Sequence, residues 1–162
     1  MLTNDNKIHY PKTLVNKKLN VFNYYYPKKG DHGMRDTNTN ESAEDYLERI
    51  LMLQEEGNLH VHAIDIATSM SFSKASVSIA LKKLENEGYV TVGEKQVLNL
   101  TPSGLAIASK VYERHQVLHK LFNLLGVDDE TACEDACKIE HDLSDQSFQA
   151  LKKIYLQLKD GK

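Results

Sequence analysis

The chain has 162 residues, 41% of them hydrophobic, and a formal net charge of −3 at pH 7. It contains no apolar run of the ~20 residues that a transmembrane helix needs, and its N-terminus lacks the ~7–15-residue apolar stretch of a signal peptide. We therefore expect one domain or two small ones, located in the cytoplasm and with no membrane partner.

Residues 1–40 show no hydrophobic period and contain the loop-like sequences NYYYPKKGDHG and TNTN. Residues 1–33 carry six lysines and two aspartates. We predict that 1–40 is a flexible segment or a mis-annotated leader, with Met34 as a natural start. The alternative is a basic, tyrosine-rich arm that contacts phosphates.

A first amphipathic helix is predicted from Ser42, a plausible N-cap, to Gly57, which ends it. Five apolar residues lie on one helical stripe: Tyr46, Leu47, Ile50, Leu51 and Leu53. The sequence HAIDIATSM predicts a short second helix that points Ile64, Ile66 and Ala67 inward.

A third helix follows the turn MSFS, with Ser73 as N-cap and Gly88 as its end. The alternation in YVTVGEKQVLNLT, with Val90 before the turn and Val97 after it, then predicts a β-hairpin. Two helices joined by a tight turn and followed by a hairpin indicate a winged helix-turn-helix domain over residues 41–101.

The third helix is the candidate recognition helix, because hydroxyl and amine side chains near its N-terminus can reach phosphates and base edges. The predicted DNA-binding residues are Ser73, Lys74, Ala75, Ser76, Ser78 and Lys82, with Lys95 at the wing tip. Ala75 and Ile79 could contact thymine methyl groups. The alternative is a plain amphipathic helix in a winged-helix adaptor that does not bind DNA.

Residues 102–162 predict a second, entirely helical domain, so that the whole chain is mostly α. Its helices are expected from Pro102 to Gly126, from Asp128 to Leu143, and after a Ser144 N-cap. The apolar residues predicted to form a dimer surface are Leu118, Leu121, Phe122 and Leu125. The alternative is that they close the core of a single chain.

Residue types that bind metals are concentrated in this second domain. Cys133, Cys137 and His141 are separated by successive helical turns in CEDACKIEH, which also contains Glu140. His115 and His119 lie upstream, one turn apart. Thiolate, imidazole and carboxylate groups on one face suit a borderline divalent metal. The alternatives are ordinary, partly buried histidines and small core cysteines.

The segments EDYLERI, TPSG, RHQVL and ACKIEHDLSD, in this order around a winged helix, resemble the metal-dependent repressors of the diphtheria toxin repressor family. The resemblance covers about residues 41–160 and is closest in length to the manganese transport regulator branch, which lacks an SH3-like domain. It implies a homodimer that binds a palindromic double-stranded DNA operator when Fe²⁺ or Mn²⁺ is loaded.

The resemblance also implies a set of metal ligands: Asp45, Glu48, His115, Cys137, Glu140 and His141. Asp45 matches the manganese branch, whereas Cys137 matches the iron branch. His119 and Cys133 stand where the iron branch has a carboxylate and a histidine in an ancillary site. This mixed set favours Fe²⁺ or Mn²⁺ in the cell and admits Zn²⁺, Co²⁺ or Ni²⁺ in vitro.

Other functions have weaker support in the sequence. The segment HQVLH has glutamine where a zinc protease has its general base, and no glycine-rich phosphate loop is present, so we do not expect an enzyme. A thiol-based redox regulator using Cys133 and Cys137 is one alternative. A winged-helix regulator that responds to an organic ligand is another, but it would leave the cluster of metal-ligand residue types unexplained.

Overall fold

The computed structural model describes residues 39–161, with side chains from Ser42 onward. Six helices and one hairpin follow in order: α1 (Thr39–Glu55), α2 (Ala63–Ser69), α3 (Lys74–Asn86), β1 (Val90–Val92), β2 (Leu98–Leu100), α4 (Pro102–Leu124), α5 (Asp129–Ile139) and α6 (Asp145–Asp160). The predicted mostly helical fold with a single small hairpin is confirmed. The predicted segment 1–40 lies outside the described residues, except that α1 already includes residues 39 and 40.

The helix-turn-helix consists of α2 and α3. The main-chain NH of His62, before α2, donates to Asp65 Oδ2 at 2.8 Å, and Ser73 Oγ accepts from the NH of Ser76 at 3.1 Å. These bonds satisfy amide groups that a helix start leaves without partners. The inward face of α3 is formed by Val77, Leu81 and Leu84, all buried.

The wing is an antiparallel pair in which Val90 lies opposite Leu100. A short 3₁₀ turn, Glu94–Gln96, joins the strands, and Lys95 has a φ of 56° at its tip. Val97 was predicted to lie in the second strand but is the residue that ends this turn. The NH of Leu98 donates to the carbonyl of Val61 at 2.8 Å, which ties the wing to the chain before α2.

The start of α4 is held tightly against the end of the helix-turn-helix. Thr101 Oγ1 accepts from the NH of Gly104 at 3.1 Å and donates to the carbonyl of Gly88 at 2.7 Å. A Cβ added at Gly104 would lie 2.1 Å from the carbonyl oxygen of Tyr89, so only glycine allows this approach. As a result α4 extends directly from the winged domain into the helical one.

The core of the winged domain contains all five apolar residues predicted for α1: Tyr46, Leu47, Ile50, Leu51 and Leu53. Two local predictions were wrong. Ser42 is not an N-cap, because α1 begins at Thr39. Ile64 does not point inward, since 46% of it is exposed on the outer side of α2, whereas Ile66 and Ala67 are buried as predicted.

The predicted helix from Asp128 to Leu143 is shorter than expected. Asp128 is its N-cap and accepts from the NH of Thr131 at 3.0 Å, and the last helical residue is Ile139. The chain then turns through residues 140–143, and Ser144 caps α6 as predicted. The two residues that were expected to be helical ligands, Glu140 and His141, therefore belong to a turn.

The four residues predicted to form a dimer surface have different environments. Leu118 is 0% exposed and Leu121 3% exposed within the single chain, so both contribute to its own interior. Phe122 is partly buried and Leu125 is 64% exposed, which leaves these two accessible to a second copy. Among the described residues, no helix combines the length and apolar character that crossing a membrane requires.

Candidate metal centre and nucleic-acid interface

Three segments distant in sequence meet around His141. Glu44, Asp45 and Glu48 come from α1, where spacings of three and four residues place them on one helical face. His115 comes from the middle of α4, and Glu140 and His141 come from the turn after α5. The site therefore joins the winged domain to the helical domain.

His141 lies among three carboxylates. Its Nδ1 is 2.9 Å from Glu44 Oε2, and its Nε2 is 2.9 Å from Asp45 Oδ1 and 3.4 Å from Glu140 Oε1. Burial disfavours the charged imidazole, but the contacts with Asp45, Glu140 and Glu44 outweigh it and raise the pKa of His141 to about 12. In the absence of metal, the protonated ring places a positive charge among these three carboxylates.

Glu140 is 1% exposed, and its two oxygens have different surroundings. Its Oε2 is 2.8 Å from His115 Nδ1. Its Oε1 has no hydrogen-bond partner among the described residues and faces His141. A buried carboxylate oxygen without a hydrogen bond is costly, and a divalent ion would satisfy it.

Asp45, Glu140 and His141, together with Cys137 and Glu48, form the first group of candidate ligands. Burial, followed by the nearby charges of Glu140, Asp45 and Glu48, raises the pKa of the Cys137 thiol well above its usual range. Glu48 is itself 3% exposed. The structure thus brings three of the predicted ligands into contact, namely Asp45, Glu140 and His141. Cys137 lies near enough to the carboxylates of Glu140, Asp45 and Glu48 for its pKa to respond to them.

A second group lies on the other side of His115. The ligand atoms of His115, His119 and Cys133 are all within 4.8 Å of one another, close enough for a shared ion. Cys133 Sγ is 3.7 Å from His115 Nε2, so the two nitrogens of His115 face the two different groups. His119 Nε2 is 2.8 Å from Asp129 Oδ1. Burial, with the charges of Asp129 and Glu140, raises the pKa of the Cys133 thiol to about 11.

The turn that carries Glu140 and His141 is held by Arg114, which is only 7% exposed. Its Nη1 donates to the carbonyls of Glu140 at 2.8 Å and of Leu143 at 2.7 Å, and its Nη2 pairs with Asp145. The guanidinium also stacks over Phe148, 5.3 Å from the ring centroid. Arg114 consequently fixes the carbonyl of Glu140, and His115, which follows Arg114 in α4, fixes its side chain.

An open cleft of about 420 Å³ adjoins the first group. Glu44, Glu140 and His141 form one part of its lining, and Lys110 and Arg114 form another. Lys110 Nζ is 3.1 Å from Asp145 Oδ1 at its edge. The cleft gives small solutes access to the His141 side of the site, although most of Glu140 is buried.

The predicted DNA-binding residues are each exposed, on α3 and its N-cap and at the wing tip: Ser73, Lys74, Ala75, Ser76, Ser78, Lys82 and Lys95. The hydroxyls of Ser73 and Ser76 are 2.8 Å apart, and Lys82 Nζ is 2.8 Å from Glu85 Oε2. Ile79, about one helical turn after Ala75, is 73% exposed. An exposed isoleucine among small polar residues is suited to contact with the apolar edges of bases.

Two comparisons with protein families cover most of the chain. Residues 38–98 match the N-terminal DNA-binding domain of the iron-dependent repressors. Residues 101–160 match the metal-binding and dimerisation domain of the same repressors. The chain belongs to the iron-dependent repressor family. Members of this family are metal-dependent transcriptional regulators and not enzymes, and they bind DNA and dimerise, so the predicted family and the absence of an enzymatic role are confirmed.

Several curated transcriptional regulators are similar over about three quarters of the chain. An HTH-type transcriptional regulator of Methanocaldococcus jannaschii is 36% identical over 74% of this chain and 97% of its own length. The regulator MntR of Bacillus subtilis is 34% identical over 70% of this chain and 79% of its own length. The diphtheria toxin repressor of Corynebacterium diphtheriae is 32% identical over 74% of this chain and 52% of its own length.

Solved structures of this repressor class agree with the fold. The manganese regulator SloR is 33% identical with a TM-score of 0.61, and the match covers 69% of this chain and 52% of that one. A manganese-dependent transcriptional repressor in complex with manganese is 27% identical with a TM-score of 0.64, covering 70% and 52%. The chain thus spans about half the length of these solved structures.

Three residues at the repressor's site were missed by the sequence reasoning. Glu44 contacts His141, Asp129 contacts His119, and Arg114 holds the turn. Glu44 could have been found, because it lies four residues before Glu48 on the same helical face. Asp129 and Arg114 could not, since their contacts depend on how α4 packs against α5 and α6.

Proposed function

We propose that this chain is a transcriptional repressor that binds its operator as a homodimer when loaded with Fe²⁺ or Mn²⁺, in the cytoplasm. The observation that carries the proposal is the contact of His141 with Asp45, which joins the helical domain to the first helix of the winged domain over a distance of 2.9 Å. Because the donors come from both domains, the geometry of the DNA-binding unit depends on what these donors hold.

The ligands proposed for the first group are Asp45, Glu48, Cys137, Glu140 and His141. The orphaned Oε1 of Glu140 supports this assignment, because it lies 3.4 Å from His141 Nε2 and has no hydrogen-bond partner among the described residues. A bound divalent ion would place two positive charges among these carboxylates, in place of the single charge of protonated His141. Carboxylates of α1 and the turn would then be held at a fixed separation by the ion.

The choice of metal follows from the chemistry of the donors. Asp45, Glu48, Glu140 and His141 are hard or borderline donors and suit Mn²⁺ or Fe²⁺, whereas the Cys137 thiolate favours Fe²⁺ and later metals. His115, His119 and Cys133 form a softer group that would also hold Zn²⁺, Co²⁺ or Ni²⁺. Because affinity rises along the Irving–Williams series in both groups, availability in the cell selects the physiological ion.

Fixing the site would prepare the protein for DNA. The ordered state presents two α3 helices at a separation of successive major grooves, roughly 34 Å or a multiple of it. Ser73, Lys74, Ser76 and Lys95 would contact phosphates, and Ala75, Ser78 and Lys82 would face the groove. Metal must bind this DNA-competent state more tightly than other states, and operator DNA must in return tighten metal binding.

The two parts of the chain have separate roles in this proposal. Residues 41–101 bind DNA, and residues 102–162 bind metal and dimerise. Phe122 and Leu125 are the remaining members of the predicted dimer surface, because both are accessible at the end of α4. A redox role is less well supported, since the raised thiol pKa values of Cys133 and Cys137 keep both thiols protonated and poorly nucleophilic without metal.

The decisive experiment combines metal analysis with DNA binding under anaerobic conditions. DNA selected by the protein from a random duplex library serves as the operator, and binding is measured with Fe²⁺, Mn²⁺, Co²⁺, Zn²⁺ or a chelator. Tight binding with Fe²⁺ or Mn²⁺ that disappears with the chelator supports the proposal. DNA binding that is equal in all five conditions would overturn it.

A further inference from the structure

The two ring nitrogens of His141 face different kinds of partner. Nε2 lies 2.9 Å from Asp45 Oδ1 and 3.4 Å from Glu140 Oε1, both proposed metal ligands. Nδ1 lies 2.9 Å from Glu44 Oε2. One ion can bind only one nitrogen of a ring, so Nε2 is the nitrogen available to the ligand group and Nδ1 is left for Glu44.

This arrangement matches a general feature of protein metal sites. A histidine that binds a metal through one nitrogen usually donates the NH of its other nitrogen to a carboxylate or carbonyl, which fixes the ring orientation and strengthens the donor. Glu44 has the position for this role. Its side chain is 38% exposed, against 0% for Glu140, so it lies at the edge of the site and not among the buried ligands.

We infer that Glu44 is a positioning residue, which accepts the Nδ1 hydrogen of His141 and directs Nε2 towards Asp45 and Glu140 for metal binding. The inference rests on the proposed function, because it assumes that the first group binds a metal. Glu44 acts through His141 and is not itself a ligand. It also extends the connection between the two domains, since α1 then supplies both a proposed ligand, Asp45, and the residue that orients the histidine.

If Glu44 instead stabilised the metal-free state, its removal would have the opposite effect on metal affinity. If Glu44 only held the protonated ring in the metal-free state, it would compete with the ion for His141, and its removal would strengthen metal binding. If it positions the ring, its removal weakens binding. The direction of the change in affinity therefore separates the two roles.

The test measures Mn²⁺ affinity of the full chain from the electron paramagnetic resonance signal of free Mn²⁺, for the wild type, Glu44→Ala and Glu44→Gln. We expect Glu44→Ala to weaken binding by about tenfold or more, and Glu44→Gln to weaken it less because its amide oxygen still accepts from Nδ1. The matched control is Asp142→Asn, which removes one negative charge from an exposed residue next to His141. It should change affinity by less than about twofold.

Two further readouts separate positioning from a structural effect. The melting temperature of the metal-free variants shows whether they are folded at the temperature of the binding measurement. The visible spectrum of bound Co²⁺ reports the ligands directly and should change in Glu44→Ala. Unchanged or tighter Mn²⁺ binding by folded Glu44→Ala, or a loss equal to that of Asp142→Asn, would overturn the inference. A wild type that binds neither Mn²⁺ nor Co²⁺ would instead overturn the proposed function, and the inference with it.

Discussion

Arg114 holds Glu140 by its main chain, with Nη1 2.8 Å from the Glu140 carbonyl oxygen. The same nitrogen also donates to Leu143, so a single guanidinium spans the turn from its first to its last residue. The proposed ligands Glu140 and His141 belong to this turn. Arg114 therefore fixes the main chain from which both side chains extend, although it is not itself a proposed ligand.

Replacing this arginine tests how far the site depends on the turn. We expect Arg114→Lys to lower the free energy of unfolding by about 1–3 kcal/mol, because one ammonium cannot satisfy two carbonyls and Asp145 together. Mn²⁺ affinity should fall as well. Urea denaturation and metal titration measure the two effects. Lys110→Ala is the control, since Lys110 shares Asp145 but is mostly exposed, and it should cost less than about 1 kcal/mol.

Glu140 links the two groups of donors, through Oε1 to His141 and through Oε2 to His115. We expect Glu140→Ala to abolish metal-dependent DNA binding while the protein remains a folded dimer. Fluorescence anisotropy with selected DNA measures binding, and light scattering with circular dichroism checks dimer and fold. DNA binding by Glu140→Ala that is still stimulated by metal would contradict the proposed site.

The stability of the metal-free protein should depend on pH through His141, whose pKa is raised from 6.5 to about 12. The folded state holds this proton more tightly, so the stabilisation is complete below pH 6.5 and is lost progressively as pH rises towards 12. We expect the free energy of unfolding, measured with urea and a chelator, to decrease from about pH 7 to about pH 9. His141→Gln should lack this part of the slope, and identical slopes would contradict the assignment.

Metal binding should show the opposite pH dependence. An ion that binds His141 Nε2 must replace its proton, and a bound cysteine must also lose its proton. We therefore expect Mn²⁺ affinity to increase over the same pH range, with proton release that can be followed by titration calorimetry in buffers of different ionisation enthalpy. Affinity that does not change with pH would indicate that His141 is not a ligand.

The identity of residue 137 should set metal preference. Cys137→Glu replaces a soft thiolate by a hard carboxylate among Asp45, Glu48 and Glu140, so we expect the preference for Co²⁺ over Mn²⁺ to fall by about one order of magnitude. Competition titrations with the two ions measure it. Cys133→Glu makes the same chemical change in the second group and should leave the preference of the first group largely unchanged. Equal shifts in both variants would argue against two distinct groups.

The sequence predicted the helices and the hairpin because these elements follow local patterns. Three predictions that depend only on neighbouring residues were correct: the apolar period of α1, the Ser73 and Ser144 caps, and the helix start at Thr101–Pro102. The predicted end of α5 was wrong because the residue that determines where this helix ends is distant in sequence. Helical spacing continues through residues 140–143, but carbonyl bonds from Arg114 on another helix hold this segment as a turn.

The candidate ligands were identified by residue type and by resemblance. Their division into two groups could not be predicted from the sequence. His115 has one nitrogen towards each group, which only the packing of α4 against α5 determines. Burial also could not be judged from periodicity. Leu118 on α4 and Leu125, the C-cap residue of α4, are seven residues apart, yet Leu118 is 0% and Leu125 64% exposed.

The close approach of Gly104 to Tyr89 holds the start of α4 against the residue that precedes the wing, so we expect α4 to move with the wing as a rigid rod. His115 lies about 20 Å along this rod from Thr101, at a rise of 1.5 Å per residue. A tilt of about 6° would then become a displacement of about 2 Å at the opposite end, comparable with helix shifts that switch other proteins. A small change of geometry around Glu140 would thus be transmitted along α4 as a displacement of the wing, without unfolding of the helix.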